Sequence, residues 1–195
     1  LVCVEWLQRK TCFQIAGTRE KAELTSRDHF LTPEVFSSNN RPGLYPLLVE
    51  SKVNSAAVFH DAIPYKFPEI TWPKSVERHP LYMRDLASLD QIFSVSQASQ
   101  NDLQAYWRSA ELDPKPAMEL LPLGADFINL SQVTWKHQPG NIPLLLNVGI
   151  IEPRKNQEEL LEVACGLWDR GFEFELHFVG RINPHFGKPI AKKIK

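Results

Sequence analysis

The chain is 195 residues long, 43% hydrophobic and 23% charged, with a net charge of −1. This is the composition of a globular protein able to build a core, as one large domain or two small ones. The near-balance of charge gives no general attraction to nucleic acid or to an acidic membrane surface. From the start of the chain, residues 1–7 (LVCVEWL) are rich in β-branched and aromatic side chains and predict a strand; residues 12–16 predict a second. Residues 17–40 are of mixed polarity, with room for a helix near 18–24 before a Ser/Asn/Pro-rich loop. His29, between Asp28 and Phe30, has no second ligand at metal-binding spacing. Pro42-Gly43 marks a turn, and residues 44–53 predict a short helix.

Ala56, Ala57, Val58 and Phe59 then form a short apolar run suited to a buried strand, with His60 and Asp61 at its carboxyl end. In open α/β sheets ligands bind outside the carboxyl ends of strands, so a histidine there has a functional reason that a mid-strand histidine lacks. The competing reading makes His60 a satisfied core histidine and Asp61 a turn or helix cap. After Trp72-Pro73, Pro80 suits the first turn of a helix whose Tyr82, Leu86 and Leu89 share one face. Residues 91–95 predict a strand. Ser99, with Asp102 three residues on, predicts a capped start for a helix through Leu103, Tyr106 and Trp107. Pro114 and Pro116 end that helix, residues 117–121 predict a further strand, and the polar stretch 130–140, closing on Pro-Gly, predicts a linker.

The stretch 141–180 carries the strongest pattern. Leu144–Val148 is a buried parallel-strand candidate, ended by Gly149 and a turn containing Glu152, Pro153, Arg154 and Lys155. A helix is expected from Asn156, whose amide oxygen can accept from orphan backbone N–H groups, with Glu159 giving a capping-box-like start. Leu160, Ala164, Leu167 and Trp168 make its apolar face, and Gly171 its stop. Alternation of Phe172, Phe174, Leu176 and Phe178 with polar residues predicts a second strand running to Gly180. The whole has the length of a strand–helix–strand crossover. Arg154 and Lys155 thus stand where a strand meets a helix N-terminus, a place that favours an anion; the plainer reading is a solvated turn.

Residues 149–156 (GIIEPRKN), followed by a helix and a strand ending in FVG at 178–180, resemble the donor-side motif of GT-B glycosyltransferases of family 4, the retaining "group 1" enzymes, in their mannosyltransferase-like members. Three further segments resemble the same family in the right order: 58–69 (VFHDAIPYKFPE) its acceptor-side His-Asp motif, 94–103 (SVSQASQNDL) a serine-rich helix start, and 123–126 (LGAD) the end of its first domain. Ile150 departs from the small hydroxyl residue or Arg often found there, so no donor contact is assigned to it. Residues 1–55 add almost nothing to the resemblance.

The resemblance implies an α/β protein of GT-B type, two Rossmann-like domains facing a cleft, with an acceptor-side domain over 1–127 and the beginning of a donor-binding domain over 128–195. It implies transfer of a hexosyl group, mannose favoured, from a nucleotide sugar such as GDP-mannose or a UDP-sugar to a glycan or lipid-linked acceptor, as in polysaccharide biosynthesis. His60 and Asp61 would be the catalytic-side residues, and Gly149, Arg154, Lys155 and Asn156 would hold the donor diphosphate. The family works without a metal or other cofactor, and the chain has no D-x-D pair to hold one. Partners are then the donor and acceptor, with no nucleic acid, and with room for a peripheral membrane contact. Rival readings are a nucleotide-sugar epimerase of the same fold, a non-catalytic nucleotide-sugar or phosphate-binding module, or a truncated remnant. Cys3, Cys12 and Cys165 lack metal-ligand spacing and favour a reducing compartment; with neither an 18-residue apolar run nor a signal segment, a cytoplasmic location is expected. The chain opens on Leu1 and stops at Lys195 inside a helix expected from near Pro189, so a fragment is expected, inactive by itself because the family's later Glu-x7-Glu segment would lie beyond it.

Overall fold

The computed structural model describes residues 4–7, 12–15, 21–124 and 142–194, with side chains over 23–124 and 142–194. The chain divides into two compact units, Leu1–Pro68 with Pro73–Gly124, and Glu69–Trp72 with Ala125–Lys195. The boundary expected at 127/128, the linker at 130–140 and the Ala125-Asp126 end of the LGAD segment lie outside the described residues.

In the first unit, Val4–Leu7 (β1), Cys12–Ile15 (β2) and Lys21–Ala22 (β3) form a small antiparallel sheet in that order. Strand β3 replaces part of the helix expected near 18–24; pairing with β2, Phe13 opposite Ala22, overrides the local pattern. A second sheet is wholly parallel. His29–Thr32 (β4), Asn54–Phe59 (β5), Gln91–Ser94 (β6) and Ala117–Leu120 (β7) lie side by side in sequence order. Leu44–Ser51 (α1) joins β4 to β5, Ile63–Lys66 (α2) and Pro73–Leu86 (α3) join β5 to β6, and Gln97–Ser109 (α4) joins β6 to β7.

Each crossover steps the same way along the sheet, and right-handed crossovers that step one way stack their helices on one face. The core shows this: Ala57, Phe59 and Ile92, which share a face by strand alternation, pack with Leu44 and Leu48 of α1, Tyr82, Met83 and Leu86 of α3, and Leu103, Tyr106 and Trp107 of α4. Leu31, Ala56, Val58 and Phe93 point to the opposite face. The arrangement is a mixed α/β fold compatible with one half of a Rossmann-like domain.

Two helix starts in this unit differ from expectation. α3 begins at Pro73, not Pro80; Pro73 takes the first-turn place where a missing N–H costs nothing, and Pro80 sits inside the helix. The buried spacing His79, Tyr82, Met83, Leu86 holds that helix through the proline, as packing outweighs one lost ladder bond. α4 is capped by Ser96, whose extended backbone lets its Oγ accept from Ser99 N at 3.1 Å, so Ser99 is not the cap.

In the second unit, Leu144–Val148 (β8) pairs in parallel with Glu175–Val179 (β9), and Gln157–Asp169 (α5) crosses between them. Gly187–Ile194 (α6) follows, starting two residues before the expected Pro189. A parallel bridge between Ile151 and Ile182 extends the strand pair beyond β8 and β9. No described helix is long and apolar enough to cross a membrane.

Candidate functional site

His60 sits immediately after β5, whose last ladder bond runs from Val95 N to Phe59 O at 3.1 Å. The half-buried ring places Nε2 3.1 Å from the Pro33 carbonyl oxygen, at the end of β4. A carbonyl only accepts, so Nε2 carries the hydrogen and the neutral ring keeps Nδ1 as an acceptor. Asp61 does not orient this ring: its Oδ1 accepts from Ile63 N at 2.9 Å, closing the turn into α2. The carbonyls of both residues are pinned. Ser99 Oγ of α4 donates to His60 O at 2.6 Å, and His79 Nε2 of α3 donates to Asp61 O at 2.9 Å. Burial of His79 holds its pKa below the usual histidine value, opposed in part by the bond to Asp61, so the ring is kept neutral. Neither Ser99 nor His79 stood out in the sequence as serving this loop. The one available signal for Ser99 was its place in a Ser-x-x-Ser helix start.

In the second unit, Gly149 follows β8, its N–H bonded to Val179 O at 2.9 Å. A Cβ at Gly149 would meet no atom within 4 Å, whereas one at Gly180 would fall 1.8 Å from Gly149 O. Packing therefore demands the glycine at 180 and leaves the one at 149 facing open space. Pro153–Lys155 form one turn of 3-10 helix, and Asn156 follows in the left-handed conformation, φ 54°. Left-handed backbone carries the Asn156 side chain off the path to the α5 N–H groups; the amide donates to Glu159 and makes no cap. The expected capping box is thus absent, and α5 instead opens with Glu158 and Glu159 in its first turn, which complement the helix dipole. Glu158 also pairs with Lys193 of α6.

The two cations of the turn differ. Arg154 Nε pairs with Glu152, a carboxylate that is only 6% exposed. The second Glu152 oxygen accepts from Asn183 Nδ2 at 2.8 Å, and the Glu152 N–H donates to Gln157 Oε1 at 3.2 Å. Gln157 is itself fully buried and ties back to Ile150 O at 2.9 Å. Lys155 is exposed, and its ammonium makes no hydrogen bond or ion pair with a described residue. The sequence singled out Arg154, Lys155 and Gly149, but gave no sign of Asn183 or of the charge on Arg154 being matched. Among the described residues no three of His, Cys, Asp or Glu converge as a metal-ligating group. The chain matches no protein-family model, no curated protein and no solved structure.

Proposed function

We propose that this chain is part of a retaining glycosyltransferase of GT-B type that moves a hexosyl group, mannose favoured, from a nucleotide sugar to a glycan or lipid-linked acceptor. The observation that carries the reading is Lys155: an exposed ammonium without a partner among the described residues, beyond the carboxyl end of β8, in a turn where Gly149 opens the backbone to a ligand. In sugar transfer the bond from the anomeric carbon to the diphosphate breaks while a bond to an acceptor hydroxyl forms. Negative charge gathers on the departing diphosphate, and the acceptor proton leaves with it. A fixed cation at that place lowers the barrier because it needs no reorganisation when the charge appears. In the first unit, His60 offers Nδ1 to a sugar hydroxyl, a positioning task rather than that of an obligatory base.

The matched charge on Arg154 favours a second reading, a module that binds a nucleotide diphosphate without acting on it, because one cation serves binding more readily than charge-separating chemistry. Titrating the chain with GDP and with UDP by calorimetry tests the shared step. Lys155→Ala is expected to lose roughly 1.5–3 kcal/mol of binding, about one to two decades in affinity. Unchanged affinity removes Lys155 from the site. Release of GDP from GDP-mannose only when an acceptor glycan is added separates transfer from mere binding.

A further inference from the structure

We propose that Arg154 is a positioning residue and not a ligand contact: by neutralising the buried Glu152 carboxylate it locks the Pro153–Lys155 turn to the Asn183 loop, leaving Lys155 as the diphosphate cation of that turn. This rests on the donor-site reading and divides its labour between two adjacent cations. Glu152 is the hub. One oxygen holds Arg154, the other holds Asn183, and its backbone N–H is held by Gln157. Asn183 in turn accepts from His185 N at 2.9 Å and Phe186 N at 3.2 Å, so the carboxylate ties the turn to the start of α6 across 31 residues.

A carboxylate this buried is costly without a matching charge. Arg154 supplies it, and with Nε committed, the Glu152–Arg154 pair presents no net charge to an incoming anion. Moving the guanidinium onto a diphosphate would leave Glu152 buried, unpaired and close to a second anion. Lys155, next in the chain, carries no such obligation. Its backbone N–H bonds to Glu152 O at 3.1 Å, so the same hub sets the backbone from which the ammonium projects.

The test is a double-mutant cycle on the whole chain, read in melting temperature and in GDP and UDP affinity. Lys155→Ala is expected to leave the melting temperature alone and weaken binding roughly ten- to a hundredfold. Arg154→Met is expected to lower the melting temperature by several degrees and weaken binding as the turn loosens. Adding Glu152→Gln to Arg154→Met removes the stranded charge; melting should recover, and affinity should return to within about threefold of the parent. A direct ligand contact gives the opposite: the double variant stays as weak as Arg154→Met alone, and that overturns the proposal. If the parent binds neither GDP nor UDP, the donor-site reading fails first. The locking role of Arg154 is then judged on melting, and an Arg154→Met variant that melts with the parent removes it too.

Discussion

Strand β5, inside the four-stranded sheet of the first unit, has Ala57 and Phe59 wholly covered; β8, the first strand of the second unit, leaves Leu144, Leu146 and Val148 55%, 60% and 71% exposed. Both strands are short, apolar and followed by a crossover. The difference is repetition. Three crossovers stepping one way lay α1, α3 and α4 on one face of the first sheet, and their apolar stripes merge into one core. A single crossover gives β8 and β9 one helix, whose only buried apolar side chain is Ala164. What the second unit has in place of a core at its candidate site is the polar hub around Glu152. The lesson is that a parallel strand acquires burial from its neighbours, and that His60 stands on an apolar platform while Lys155 stands on a hydrogen-bonded one.

The sharpest way to break this contrast is to truncate one apolar side chain in each unit. Trp107, 2% exposed and donating Nε1–H to Met83 O at 2.7 Å, locks α4 to α3. Trp107→Ala is expected to cost about 3–5 kcal/mol in urea unfolding. Leu146→Ala in β8 should change stability by no more than about 0.5 kcal/mol, as surface positions do. Equal losses would mean that Leu146 is covered in solution, and the contrast would fall.

A second test compares two glycines. Gly180→Ala forces a methyl against the Gly149 carbonyl, and backbone cannot yield as a side-chain tip can. A loss of about 1–3 kcal/mol is expected, as for other overpacked sites. Gly149→Ala has open space and should stay within about 0.5 kcal/mol, while weakening GDP or UDP binding if a phosphate rests there. A stable Gly180→Ala variant would show that the two turns lie further apart than 149 and 180 do here.

Much of this was legible in the chain, and the losses follow one rule. The β8–α5–β9 crossover was readable because each part announces itself locally: an apolar run, a 3–4 spacing, an alternation. Strands β5, β6 and β7 were readable for the same reason. β4 was not, because HFLT stands inside a stretch of mixed polarity and is a strand by virtue of pairing with β5 some 25 residues on. The start of α3 was misplaced because two prolines each fit a first turn, and only the burial of His79 and Tyr82 decides between them. At the candidate sites, residue type and placement pointed to His60, Gly149 and Lys155. The groups that hold them in place, Ser99 and His79 at separations of 39 and 18 residues and Asn183 at 31, are tertiary facts, and the Ser-x-x-Ser helix start is the one local trace among them.

The contrast also has a pH signature, because the one buried histidine among the described residues, His79, lies in the first unit. Burial holds the folded pKa of His79 below the unfolded value near 6.5, with Arg78 adding to that and the Asp61 carbonyl and carboxylate opposing it. The unfolded chain therefore takes up the proton first. This contribution to stability is fully present above about pH 6.5 and is lost as pH falls through that value towards the folded pKa. The slope from one such proton is at most about 1.4 kcal/mol per pH unit. His79→Gln keeps a donor for the Asp61 carbonyl but cannot titrate, so its stability between pH 7 and 5 should fall less than the parent's. Parallel curves would mean that His79 takes up its proton as readily in the folded protein as in the unfolded chain, against a lowered pKa.

A modest expected effect on stability, and the most direct on function in the first unit, concerns His60. Among the described residues its side chain makes one hydrogen bond, to Pro33 O, and the ring is only half-buried, so His60→Ala should cost about 1 kcal/mol. The loop around it stays pinned through backbone carbonyls by Ser99 and His79, whose bonds do not involve the His60 ring. If Nδ1 accepts from a sugar hydroxyl, removing the ring weakens binding of the intact nucleotide sugar and leaves binding of the bare nucleoside diphosphate alone. Calorimetry with GDP-mannose and GDP, or a UDP-sugar and UDP, reads that difference on one preparation, with a melting curve as control. His60→Asn is the sharper variant, since its short amide cannot reproduce both the Pro33 bond and the Nδ1 acceptor. Equal loss for sugar nucleotide and nucleotide would mean that the ring acts on the fold or on the phosphate. A large drop in melting temperature with the affinity difference intact would return His60 to the core-histidine reading.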